Sequence, residues 1–178
     1  GSALLMAMHH GLVGAGLWSE QRGDNLLDGG APFYRCYRTA DDRFVAVGAL
    51  EPAFYAALLL GLDIDPATLP AQYDRSGWPS IAERLGAVFA SRTRDHWTTQ
   101  FAGTDACVVP VLTPLESVGD PHLRSRGTFI DVAGAAQPAP APRFGRTPAA
   151  LRPSDDPAAT LRRFGLDADE AAALLGAS

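Results

Sequence analysis

The chain has 178 residues, 47% of them hydrophobic, enough to bury a core in one domain or in a large and a small lobe. Its formal charge of -5, with all 15 basic residues arginine, leaves no basic stripe for a phosphate backbone; nucleic acid is excluded as an expected partner, a small anionic ligand is not. The apolar run near the start, Ala3 to Met8, is too short to span a bilayer, and no signal peptide precedes it, so no membrane partner is expected.

The arginine-only, Ala/Gly/Pro-rich composition has the look of a GC-rich bacterial genome. Cys36 and Cys107 lie far apart in apolar, strand-like surroundings, which predicts buried, reduced thiols in a cytoplasmic protein. Apolar spacing from Ala3 to about Leu17 predicts a helix that the chain enters abruptly, without a cap, as a piece cut from a longer polypeptide would. Gly11, Gly14 and Gly16 form G-x-x-G-x-G without a preceding strand, which is not the dinucleotide fingerprint.

Phe33 to Arg38 and Arg43 to Gly48, separated by Ala40-Asp41-Asp42, read as a β-hairpin with Phe44, Ala46 and Gly48 on one face and Val45 and Val47 on the other. Pro52 opens an apolar helix to Leu60, with Gly61 as the expected stop. Ser80, with Glu83 three residues on, predicts a capping box at the start of a helix to Ala90. Thr93 predicts a cap for Arg94 to Phe101. Ala106 to Leu112 reads as a strand whose internal Pro110 places it at a sheet edge or in a bulge. A helical turn near Leu115 to Val118 and a strand from Thr128 to Val132 follow. The Ala/Pro-rich stretch from Gly134 to Pro153 predicts an extended connector, and Asp155 to Leu175 resumes helical patterning.

The most particular run is Asp24 to Tyr34, with its Asp28-Gly29-Gly30 turn, followed by Tyr37 to Asp42 and Val45 to Pro52. With Trp78-Pro79, Asp95-His96-Trp97, Thr104 to Val108, Pro110-Val111-Leu112 and Pro140 to Phe144, it resembles the C-terminal half of the family III CoA-transferase superfamily, in the branch that racemises acyl-CoA thioesters. The resemblance implies an α+β fold class. Residues 1–24 would be a helix and linker of a Rossmann-like large domain, 25–133 a small α+β domain, and 134–178 a proline-rich arm and a helix returning to the large domain. It also implies an interlocked homodimer, an acyl-CoA partner, and no cofactor or metal.

The implied reaction inverts the α-carbon of a 2-methylacyl-CoA through an enolate. The family's histidine and aspartate that carry the proton belong to its N-terminal half, outside this chain, so the chain alone is expected to be inactive. The resemblance sets Glu51 on the family's third catalytic carboxylate, which hydrogen-bonds that histidine. A glutamate just outside a helix N-terminus also has a simpler reading, as a cap for its own helix. Leu27, Asp28, Gly29, Gly30 and Tyr34 match the loop that lines the acyl pocket across the dimer; a tight turn accounts for the glycines but not for Asn25, Asp28 or Tyr34. A transferase of the same superfamily, or a non-catalytic acyl-CoA-binding or dimerisation module, remain alternative readings.

The remaining polar groups read as structural. His9 and His10 diverge by about 100° on a helix, His96 and His122 sit in packing or turn contexts, and Asp63 and Asp65 lack the other ligands of a calcium loop.

Overall fold

The computed structural model describes residues 2–151 and 156–176. Asp155, at the expected start of the helical tail, and Arg152-Pro153, at the end of the expected connector, lie outside the described residues, as does Gly1. The chain divides into two compact units, Gly1–Thr113 and Pro114–Ser178. At the coarse level the expected α+β class is met, by small antiparallel sheets with helices.

The first unit opens with α1 (Ser2–Leu5) and α2 (Ala7–Gly14), two segments where the sequence predicts one helix. A hairpin of β1 (Tyr34–Arg38) and β2 (Phe44–Gly48) follows, close to its expected bounds. Cys36 pairs with Ala46 and Tyr34 with Gly48. Asp42 takes the left-handed conformation at the turn. The Asp41 carboxylate accepts from the Thr39 hydroxyl at 2.6 Å and from the Arg94 amide at 3.0 Å, which ties the turn to a helix start fifty residues on.

Helix α3 (Pro52–Gly61) has proline in its first turn. Gly61 does not stop it by a left-handed turn. A Cβ there would overlap the Phe101 ring, so the glycine serves a close helix approach. Helix α4 (Trp78–Phe89) begins two residues before Ser80. The Asp74 carboxylate caps a 3-10 turn, Arg75–Gly77, that runs directly into α4, so its first amides arrive already in a helical turn. The expected capping box is therefore absent, and the Ser80 hydroxyl donates back to the Gly77 carbonyl at 2.9 Å. Thr93 does cap α5 (Arg94–Phe101) by accepting from the His96 amide. Strand β3 (Val108–Pro110) joins β2 antiparallel as an edge, where a proline costs no ladder bond.

Period-two alternation gives the sheet two unlike faces. Tyr37, Val45, Val47 and Val108 turn inward onto a core with Phe33, Leu58, Ile81, Leu85, Phe89, Trp97 and Phe101. Tyr37 stacks on Phe89 with centroids 5.1 Å apart, and the Trp97 indole donates to the Phe89 carbonyl at 2.9 Å. Truncating Phe89 in so filled a core costs about 3–5 kcal/mol. The opposite face, with Tyr34, Cys36, Ala46, Gly48 and Val109, is left bare or half-covered.

The second unit holds α6 (Pro114–Gly119), α7 (Pro121–Ser125) capped by Asp120, β4 (Phe129–Val132), β5 (Ala135–Pro138), α8 (Pro157–Arg163) and α9 (Ala168–Leu175). The head of the expected proline-rich connector is thus a strand: β5 pairs with β4 through a two-residue turn at Ala133-Gly134, both at positive φ. That turn conformation splices a tight hairpin, but Ala-Gly is a weaker signal for it than Asn-Gly or Asp-Gly. Asp156 caps α8, and Asp167 with Glu170 forms a complete capping box on α9.

Candidate functional site

The loop before β1 is built around one buried amide. Asn25 is 1% exposed, and its side chain accepts from the Ser19 amide at 2.7 Å while donating to the Ser19 carbonyl at 2.9 Å and to the Asp28 carboxylate at 2.7 Å. Asp28 in turn accepts from the amides of Asn25, Gly23 and Gly30. Burial opposes its charge, but the Asn25 side chain, then those amides, outweigh it and hold the carboxyl below the usual aspartate range. The glycines have separate tasks. Gly29 lies at φ +94°, and a Cβ on Gly30 would come within 2.6 Å of the Asn25 carbonyl oxygen.

This loop stands beside the bare face of the sheet, and between them lies a groove of about 880 Å³. Leu27, Asp28 and Gly29 form one wall. The floor crosses the strands through Tyr34, Cys36, Ala46, Gly48 and Val109 to Cys107. Floor side chains are small, and the Tyr34 ring lies toward Gly48, where an added Cβ would stand 3.9 Å from it. A cavity of this size, mostly apolar with few polar groups, is of the kind that takes a small-molecule ligand. Among the described residues no cluster of His, Cys, Asp and Glu has the makings of a metal site.

Leu27, Asp28, Gly29 and Tyr34 thus converge on one groove, whereas Gly30 is tucked behind them against the Asn25 backbone. The Asp28 carboxylate is engaged by the loop, so what it offers the groove is a fixed backbone. Glu51 lies outside the groove lining. It is the residue before α3, with φ -70° and ψ 144°, and its side chain makes no cap bond, so the simple cap reading fails. Its carboxylate is exposed and near enough to act on Cys107, whose thiol is pushed up by burial, then by the Glu51 and Asp105 charges. The Cys107 carbonyl accepts from the Gly48 amide at 2.9 Å, which sets Glu51 at the β3 end of the groove floor.

Both cysteines correct the expected burial, for each is exposed. Cys36 is one residue out of phase with inward-facing Tyr37, and Cys107 sits at φ +53° just before β3 begins. Apolar neighbours in sequence concealed an alternation that turns both thiols into the groove. Arg35 was also missed as a lining residue, since no motif marks it. The histidines stay structural: His9 meets Trp18 edge-on at 5.1 Å and His96 meets Trp97 at 4.9 Å. Asp65 caps a 3-10 turn by accepting from the Ala67 amide.

The sequence model described as CoA-transferase family III matches residues 2–161. The chain is 46% identical over 162 residues to α-methylacyl-CoA racemase of Mus musculus, covering 87% of this chain and 42% of that protein. It is 48% identical over 134 residues to α-methylacyl-CoA racemase of Homo sapiens, covering 75% and 35%. A CaiB/baiF CoA-transferase family protein of Caenorhabditis elegans is 44% identical over 87 residues, covering 49% and 24%. The chain therefore spans less than half the length of these relatives, and its match to the racemases falls in their C-terminal part.

Proposed function

Because the chain belongs to CoA-transferase family III, we propose that it is the C-terminal part of a cytoplasmic acyl-CoA racemase that inverts the α-carbon of 2-methylacyl-CoA thioesters. The observation that carries this reading is the 46% identity to a racemase across a segment that contains both the loop and the groove floor. In the proposed reaction a base removes the α-proton and the electron pair moves onto the thioester oxygen. An acid on the opposite face then returns a proton to the same carbon. The steps balance without a cofactor, and most of the barrier is lowered by placing the two proton carriers and by donors to the enolate oxygen.

This chain's share of the work is to hold the acyl group in the groove between Leu27 and Tyr34 and to supply Glu51. A carboxylate hydrogen-bonded to an imidazole fixes its tautomer and stabilises the imidazolium, so Glu51 acts as a positioning residue for a histidine from the remaining part of the polypeptide. The groove mouth would be covered by a second copy in a homodimer, and α1, α2 and the tail helices would pack on a Rossmann-like large domain. Exposed Leu4, Leu5, Met8 and Leu17 support such a covering surface.

Steady-state kinetics of Glu51→Gln in the chain joined to the part of a racemase relative that it does not match test the assignment. A fall in kcat of about a hundredfold or more with KM nearly unchanged is expected of a lost tautomer-fixing contact; an unchanged kcat would remove Glu51 from the machinery. The transferase alternative, supported by the nematode relative's name, requires acyl transfer to a free acid in place of inversion.

A further inference from the structure

The turn that delivers Glu51 is held by two side chains that no sequence motif marks. Strand β2 ends at Gly48 and α3 begins at Pro52, so the carbonyls of Ala49 and Leu50 belong neither to the sheet ladder nor to the helix. Ala49 is buried and Leu50 half-buried, and a carbonyl in such a place needs a donor. The donors come from a distant segment of the chain. The Gln72 side-chain amide donates to the Leu50 carbonyl at 2.8 Å and to the Ala49 carbonyl at 3.2 Å, and the Tyr73 hydroxyl donates to the Leu50 carbonyl at 2.5 Å. This clamp is itself anchored. The indole of buried Trp78 donates to the Gln72 carbonyl at 2.9 Å, and the Asp74 amide closes a turn onto the Ala71 carbonyl at 3.0 Å. The Tyr73 ring meets the Phe33 ring edge-on at 5.4 Å, and the Phe33 carbonyl accepts from the Ala49 amide at 2.9 Å, which brings the circuit back to the turn it holds.

The Glu51 side chain, by contrast, is exposed and makes no hydrogen bond or ion pair among the described residues. Within this chain its carboxylate is placed by its backbone alone. That backbone is held on one side by Gln72 and Tyr73, and on the other by α3, where the Tyr55 amide donates to the Glu51 carbonyl at 2.9 Å. We propose that Gln72 and Tyr73 are positioning residues for Glu51: their three hydrogen bonds to the two preceding carbonyls keep the strand-to-helix turn on the path that aims the carboxylate at its histidine. This rests on the reading of Glu51 above. A carboxylate that must meet an imidazole has to stand within about 0.5 Å of its place, and a displacement of about 1 Å arising far from the chemistry can cost on the order of a hundredfold in rate.

Steady-state inversion kinetics of the joined protein test this. Tyr73→Phe keeps the ring on Phe33 and removes one donor; Gln72→Met keeps the side-chain length and removes the other. The double variant should lose about tenfold in kcat with KM nearly unchanged, and Tyr73→Phe alone, at an exposed site, should show a smaller loss of the same kind. Added to Glu51→Gln, the double change should lower kcat no further, because the positioned group is already gone. An unchanged kcat in both clamp variants overturns the inference. So does the same proportional loss in the wild-type and Glu51→Gln backgrounds, which would make the clamp a stability device only. If the double variant does not fold, Tyr73→Phe decides by the same two criteria. A wild-type rate in Glu51→Gln overturns the reading of Glu51, and a joined wild type without turnover overturns the racemase reading; this inference falls with either.

Discussion

Asn25 and Asp28 show how single residues set this site. In sequence a double-glycine turn explains Gly29 and Gly30 but gives Asn25 and Asp28 no reason; in three dimensions they are the two halves of one hydrogen-bond hub. Replacing Asp28 by Ala strands the buried Asn25 amide and should cost about 1–3 kcal/mol, read as a lower urea midpoint. The depressed pKa of Asp28 makes its contribution present above the unfolded value near 4 and lost as pH falls through the lower folded value. Asp41, through the Thr39 hydroxyl, and Asp74, through the Ser76 hydroxyl, are shifted the same way. Acid titration of Asp28→Asn should therefore lose part of the wild-type stability slope below pH 4, and an unchanged slope would remove Asp28 from that set. Cys107 reports on Glu51 by the same physics. Its alkylation should accelerate only above the ordinary thiol range, and Glu51→Gln should move that midpoint to lower pH because one repelling charge is gone.

The elements that were legible in sequence are those whose signal is local and strong. The hairpin alternation, the Thr93 cap and the edge strand marked by Pro110 all lie where pattern and turn chemistry place them. Ser80 and Glu83 carry an equally good capping pattern, yet α4 starts earlier because the Asp74-capped turn feeds straight into it. The two patterns can be told apart by stability: Thr93→Ala should cost about 1 kcal/mol, while Ser80→Ala and Glu83→Ala should each stay within about 0.5 kcal/mol. Gly61 was legible as special but for the wrong reason, since packing against Phe101 depends on a chain segment forty residues away. Gly61→Ala forces that ring aside and should cost about 1–3 kcal/mol, with a loss of the near-ultraviolet signal of the Trp97 and Phe101 cluster if the ring yields.

At the scale of the molecule, family membership was readable from the ordered set of motifs, and the groove was not. Its lining comes from the loop, from all three strands of the first sheet and from the residue before β3, and only their pairing reveals that Cys36, Ala46, Gly48 and Cys107 share one surface. The measurement that bears most directly on the central claim follows α-proton exchange of a 2-methylacyl-CoA in deuterated water by nuclear magnetic resonance. It is made for this chain alone, and for the chain joined to the part of a racemase relative that it does not match. The account predicts no exchange by the chain alone, exchange by the joined protein, and a loss of about a hundredfold or more on Glu51→Gln. Substantial exchange by the chain alone, or a joined Glu51→Gln protein at the wild-type rate, would contradict it.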